Sequence, residues 1–225
     1  RRKIEVPPRP ASESLEAHGC TVVLRRAEGP AAREIFLHCQ PPAAVVDARG
    51  QSEAIYRAIH DLLAAEGGGA ELVVAETVFL RDLRANIEVV RAARQRVVAA
   101  SWGTARSPAT TEIEQPPLHE SACLEVMVQA VVPYAPSPRI ERVEALTACD
   151  CAECARTHGL TIRLDGETRF HAAGLCGAGE SAYDQTLAMF SAAEALLQQA
   201  GMAFSDVVRT WIYLREMERD YPDLN

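Results

Sequence analysis

Residues 73–82 read VVAETVFLRD, and residues 207–216 read VVRTWIYLRE, so one chain says nearly the same thing twice, 134 residues apart. Both stretches are rich in Val, Thr and aromatic or β-branched residues, the composition of a half-buried strand. Working outward, residues 51–82 align with 185–216 without a gap, and ten of the 32 positions are identical: Gln51/Gln185, Ala54/Ala188, Ala58/Ala192, Leu62/Leu196, Leu63/Leu197, Gly67/Gly201, Val73/Val207, Val74/Val208, Leu80/Leu214 and Arg81/Arg215. Chance at ordinary composition gives about two or three. Upstream, HGCTVVL from His18 matches HGLTIRL from His158, and Phe36 aligns with Phe170; the intervening turn is six residues longer in the first copy. Surface turns tolerate such insertions.

The repeated unit has a physical grammar. Residues 21–24 and 161–164 are β-rich, and each is followed by a turn (AEGP or Asp165-Gly166) and a second strand (EIFLHC or TRFHAA). Asp-Gly is a strong hairpin signal. Ile55, Ile59, Leu62 and Leu63 then form one apolar stripe at helical spacing, matched by Met189, Ala193, Leu196 and Leu197. Gly67 and Gly201 stand where a left-handed residue ends a helix. Only the first copy continues. Leu83, Ile87, Val90 and Val97 predict a second amphipathic helix, and ATTEIEQ and CLEVMVQAVV predict strands. In the latter, Leu124, Val126, Val128, Ala130 and Val132 alternate onto one face.

This gives an arm over residues 1–17, a first unit over 18–133 with the order ββ-α-β-α-ββ, a connector over 134–157 and a second unit over 158–225. In the connector RIERVEALTA is a further strand candidate. The second unit lacks the last helix and two strands of the first. With Arg1 at the start and no closing element before Asn225, the sequence reads as part of a longer protein.

The 225 residues carry a formal charge of −8 and 48% hydrophobic residues, ample for a buried core. No Lys/Arg cluster supports a nucleic-acid partner. No apolar run reaches membrane-spanning length, no leader pattern stands at the start, and the seven cysteines suggest no disulfide framework. A reduced, cytoplasmic setting is the expectation.

The order of elements, the Gly-terminated helix and the repeated strand resemble the RidA/YjgF family, also known as endoribonuclease L-PSP. The resemblance covers 18–133 and 158–225. It implies an α+β fold of two tandem RidA-like (chorismate-mutase-like) units, each a mixed sheet with two helices on one face. It also implies a homo-oligomer, a trimer or pseudo-symmetric ring, with a small carboxylate bound at the junction between units and no cofactor. Single-domain members of that family hydrolyse 2-imino acids to keto acids and ammonia. An arginine there fixes the substrate carboxylate by paired hydrogen bonds, and a glutamate positions water. Those positions fall on Thr110 and Met127, which can do neither job, so the first unit is degenerate by this measure. Arg106 lies four residues early. A tandem chain with a degenerate first copy also resembles the chorismatases, which cleave an enolpyruvyl ether. A third reading is a non-catalytic binding or assembly module. Ribonuclease activity has no support in this acidic composition.

The resemblance places residues 170–177, FHAAGLCG, at a pocket where backbone amides line the ligand. The ligand-binding candidates are Gly174, Leu175, Cys176 and Gly177, with Trp211 from the repeated strand. Cys176 is the weak catalytic candidate, since a reactive thiol needs a base or a helix N-terminus; otherwise it only lines the pocket. His171 is expected to face elsewhere. Cys149, Cys151 and Cys154 are a weak metal alternative, because zinc sites pair two separated knuckles and only one is present; reduced loop thiols are the plainer reading. His18 and His158 suit a structural hydrogen bond. Glu112 and Glu114 could face a cleft or plain solvent.

Overall fold

A computed structural model describes residues 12–102, 108–134, 139–144, 158–164 and 166–224. In the first unit the elements run β1 (Ser12–Ala17), β2 (Cys20–Glu28), β3 (Ala32–Gln40), α1 (Ala48–Ala65), β4 (Val73–Leu80), α2 (Leu83–Trp102), β5 (Ala109–Glu114) and β6 (Leu124–Pro133). The six strands form one mixed sheet in the order β1-β2-β3-β6-β4-β5. Only β4 and β5 are parallel, and α2 makes the crossover that a parallel pair requires. Residues 12–17, part of the expected arm, are instead the edge strand β1. His18 and Gly19, both at positive φ, turn it into β2. The His18 imidazole reaches Asp61 of α1 at 2.7 Å, a structural bond between hairpin and helix.

Alternation decides which face each strand buries. Leu24, Ile35, Leu37, Val78, Leu80, Leu124, Val126 and Val128 point to one side and pack on Ile55, Tyr56, Ile59 and Leu63 of α1 and Val90 of α2. Helix α1 starts on Asp47, whose carboxylate accepts the Gly50 N–H, and ends at Gly67 (φ 79°). There the Gly68 N–H reaches the Leu63 carbonyl at 2.9 Å.

The helix side of the sheet also holds a charge. The Glu76 side chain is fully buried; it accepts hydrogen bonds from Tyr56 Oη (2.8 Å), Arg94 Nη1 (2.5 Å) and Thr110 Oγ1 (3.2 Å). Burial and the neighbouring carboxylate hold the Tyr56 phenol well above its ordinary pKa, so it stays a donor. Next to this group, Arg91 pairs with Glu112, and Glu114 accepts the Leu83 N–H. Glu112 and Glu114 therefore lie beside α2, Glu112 half-buried and Glu114 exposed to solvent.

The strand expected within the connector pairs with the first strand of the expected second unit. Strands β7 (Arg139–Glu144), β8 (His158–Leu164) and β9 (Glu167–Ala173) form an antiparallel sheet, with Gly166 at φ 78° in the β8–β9 turn. Helix α3 (Ala182–Gln199) starts on Ser181 and ends at Gly201 (φ 74°). Cap, helix and terminal glycine thus lie at the spacing of Asp47, α1 and Gly67. The correspondence then stops. Residues 207–214 do not form the expected strand; among the described residues they have no strand partner, all but the half-buried Leu214 are exposed, and the short helix α4 (Met217–Leu224) follows. The reason is physical. In the first unit β4 is held by β5 and β6, and no counterpart of either lies among the described residues after α3.

The two sheets meet face to face. Ile162 of β8, flanked by Leu164, packs on Ala32, Val74 and Val131. Arg169 of β9 pairs with Glu34 at 2.6 Å, and Gln129 donates to the same carboxylate at 2.7 Å.

Cutting a buried ion pair on one side leaves an uncompensated charge, which costs about 3–5 kcal/mol. Arg94→Met is expected to lower unfolding stability by that amount, and Tyr56→Phe by about 1–2 kcal/mol, read from urea unfolding curves.

Candidate functional site

The sheet face away from α1 and α2 carries the polar chemistry. Because β6 buries Leu124, Val126 and Val128 under the helices, Glu125, Met127 and Gln129 must point the other way. On β3 the same logic turns Glu34, Phe36, His38 and Gln40 outward. Register pairs Phe36 with Gln129 and His38 with Met127. Glu125 is the deepest of this set. Its carboxylate is bound by His38 Nε2 at 2.9 Å and by Gln40 Nε2 at 3.3 Å. The His38 contact, with help from Gln40 and the more distant His119, holds the Glu125 carboxyl below its ordinary range, against the upward push of burial. Glu125 is therefore an ionised base at neutral pH, in contact with an imidazole that can relay its proton.

The surroundings are apolar and open. Phe36 and Met127 are exposed on this face at 37% and 45%, whereas its other end, at Ala32 and Val131, is sealed by Ile162. On β2, Arg25 also faces outward and is exposed; it has no hydrogen bond or ion pair among the described residues. It lies opposite Phe36, while Val23 lies opposite His38. Diagonal neighbours of this kind stand about 7–8 Å apart, within reach of a long arginine.

The expected residues are placed as follows. Thr110 is on the helix side, bound to Glu76 and Arg94, so it takes no part in the outer face. Met127 is on the outer face, directly beside His38. Gly174 takes φ 69° in the turn after β9, Leu175 is half-buried, and Cys176 is exposed with its thiol 3.5 Å from the Gly174 carbonyl. Gly177 meets the first turn of α3 so closely that a Cβ there would fall 1.7 Å from the Gln185 carbonyl. That glycine is required by packing. His171 is pushed below its ordinary pKa by burial, beside Glu34 and Arg169 at the junction of the sheets. Trp211 is 75% exposed, with the Arg209 guanidinium 5.9 Å over its ring. Arg106, Cys149, Cys151 and Cys154 lie outside the described residues. Among the described residues no group of His, Cys, Asp or Glu is placed to hold a metal, and no helix is long and apolar enough to cross a membrane.

Sequence reasoning missed Glu125, His38 and Arg25. The signal for Glu125 was present in CLEVMVQAVV: the residues between the apolar ones read Glu-Met-Gln, and an acidic residue in a central strand needs a partner. Nothing local points to His38, which becomes its partner only through sheet register.

No family model matches the chain, and no curated protein matches it. Solved structures do. A member of the YjgF protein family from Neisseria meningitidis is 24% identical, over 46% of this chain and 87% of its own, with a TM-score of 0.38. The YjgF gene product of E. coli is 20% identical, over 47% of this chain and 84% of its own, with a TM-score of 0.41. E. coli TdcF with bound serine is 16% identical, over 58% of this chain and 98% of its own, with a TM-score of 0.41.

A carboxylate with a depressed pKa stabilises the fold above its unfolded pKa and loses that contribution as pH falls through the lower folded value. The stability gap between the wild type and Glu125→Gln should therefore be full at neutral pH. It should close as pH drops below about 4, as read from urea midpoints across a pH series. In element order and sheet topology the first unit has the α+β architecture expected of it, one mixed sheet with two helices packed on one face.

Proposed function

We propose that the outer face of the large sheet is a hydrolytic site for a small carboxylate bearing a C=N bond, an imino or enamine acid. The observation that carries this reading is the ionised, nearly buried Glu125 held by His38 and Gln40, with the exposed apolar side chains Phe36 and Met127 close by on the same face. A base and proton relay at such a place suit water activation.

The roles follow from position. Arg25 takes the substrate carboxylate, supplying the cation that Thr110 cannot. Phe36 and Met127 hold the short carbon skeleton. Glu125 accepts a proton from water as the water oxygen adds to the imine carbon. His38 passes that proton to the nitrogen to give the carbinolamine; the hydroxyl then gives up its proton by the same route to the nitrogen, the carbon–nitrogen bond breaks, and the carbonyl forms as ammonia leaves. Water and imine in give keto acid and ammonia out. The sheet of the second unit borders this face, and we infer that copies of the chain, arranged as a ring, wall its open side.

The test uses freshly generated 2-iminopropionate, with pyruvate formation followed above the spontaneous rate. Glu125→Gln is expected to lower kcat/KM by about 10²–10⁴. Arg25→Ala should act chiefly on KM, and Cys176→Ala should leave both unchanged. Saturable binding without turnover by the wild type would overturn the hydrolytic reading in favour of a ligand-binding module.

A further inference from the structure

The second unit carries an arginine where the repeat has an apolar side chain. With Phe36 aligned on Phe170, Arg169 and His171 stand at the places of Ile35 and Leu37. Those two residues are 0% and 2% exposed under the helices of the first unit. Arg169 is paired in register with Ile162, which packs on the large sheet, and it points the same way. Its Nη1 meets Glu34 of β3 at 2.6 Å, and its Nε is held by Glu167 at 2.5 Å. Gln129 donates to the second Glu34 oxygen at 2.7 Å. Both oxygens of Glu34 are therefore engaged, one by the second unit and one by β6.

Register shows what this prevents. Ala27 lies opposite Glu34 and Arg25 opposite Phe36, so Glu34 and Arg25 are diagonal neighbours on the outer face. Their backbones stand about 7–8 Å apart, and two long side chains span that distance to form a guanidinium–carboxylate pair. No other carboxylate of this face is as close to Arg25 in register. Glu16, opposite Thr21 and bound to it at 2.9 Å, lies two same-face positions further along, and Glu125 is held by His38 and Gln40. Yet Arg25 has no ion pair among the described residues, and Glu34 is turned towards Arg169.

We propose that the second unit keeps Arg25 available for its ligand: Arg169 draws Glu34 away, so that the Arg25 guanidinium meets a ligand carboxylate and not its own neighbour. This rests on the reading of the outer face as a carboxylate site and gives the second unit a regulatory part in it. Arg169 is a positioning residue; it acts through Glu34 and touches no ligand. The apolar contact at Ile162 and the Arg169–Glu34 pair form one joint. With the joint seated, Arg25 is open to an anion. With the joint parted, Glu34 pairs with Arg25 and competes with the ligand for it.

The experiment measures the affinity of the whole chain for pyruvate by titration calorimetry, with no turnover involved. Arg169→Ala should weaken binding by about two- to fivefold, the strength of an exposed ion pair gained by the competitor. That loss should shrink as salt is added. Adding Glu34→Gln to the same chain should restore the wild-type affinity, a rescue that a merely structural role for Arg169 does not provide. Arg169→Lys, which keeps the charge, should bind as the wild type does. Glu34→Gln alone leaves the Ile162 contact in place and should bind pyruvate no more weakly than the wild type, so the idea can be tested even if Arg169→Ala does not fold. Unchanged affinity in Arg169→Ala overturns the proposal, as does a loss that Glu34→Gln fails to restore, or a loss in Glu34→Gln alone. Those three results leave the outer face a carboxylate site. Absence of pyruvate binding by the wild type, or binding that Arg25→Ala leaves untouched, overturns that reading and this proposal with it.

Discussion

Strand β6 has to lie between β3 and β4, and the first unit depends on it. Neither neighbour has another partner on that side, and a buried strand edge without hydrogen bonds leaves every second N–H and C=O unsatisfied. One strand therefore closes the sheet. It also supplies the apolar row that α1 and α2 cover, and it turns Glu125 to the opposite face beside His38. Fold and candidate site are two faces of the same ten residues. The second unit shows the converse. It has the capped helix and the β-forming segment, but no such strand lies beside that segment among the described residues, and Val208 and Trp211 are exposed there.

The two faces of the large sheet spend their charges differently. On the helix side, Glu76 is enclosed by Tyr56, Arg94 and Thr110, and Glu112 is tied to Arg91 of α2. Each carboxylate there has a donor that neutralises the cost of burying it. This explains why Thr110 cannot serve as a ligand contact: it is part of an interior network. On the outer face Glu125 is bound only by neutral donors or a titratable one, at an open end, with Phe36 and Met127 exposed nearby. A group so placed keeps capacity to exchange a proton. Burial acts differently on the thiols Cys20 and Cys39, buried and pushed above their ordinary range (Cys20 to about 11), which makes them inert packing atoms.

Much of this was legible in the chain. The gapless match of 51–82 with 185–216 set α1 and α3, their terminal glycines and the segments that follow; all but the last took the expected form, because helices and caps are built from local hydrogen bonds. The alternation in residues 124–132 fixed which side of β6 meets the helices. What failed was the strand at 207–214, which has the right composition and no partner. Composition licenses a strand, but pairing makes one. The ligand candidates at 174–177 and Trp211 rested on a resemblance of position, and only the coordinates reveal that Gly177 is demanded by the approach of Gln185.

By itself, then, the sequence determined the repeat, the helices with their terminal glycines and the inward face of β6, since each follows from periodicity within a few residues. Only the tertiary structure decided that His38 meets Glu125 and that Arg25 shares their face. Those residues are separated by up to a hundred positions, and only strand order and register, long-range properties of the whole sheet, bring them together.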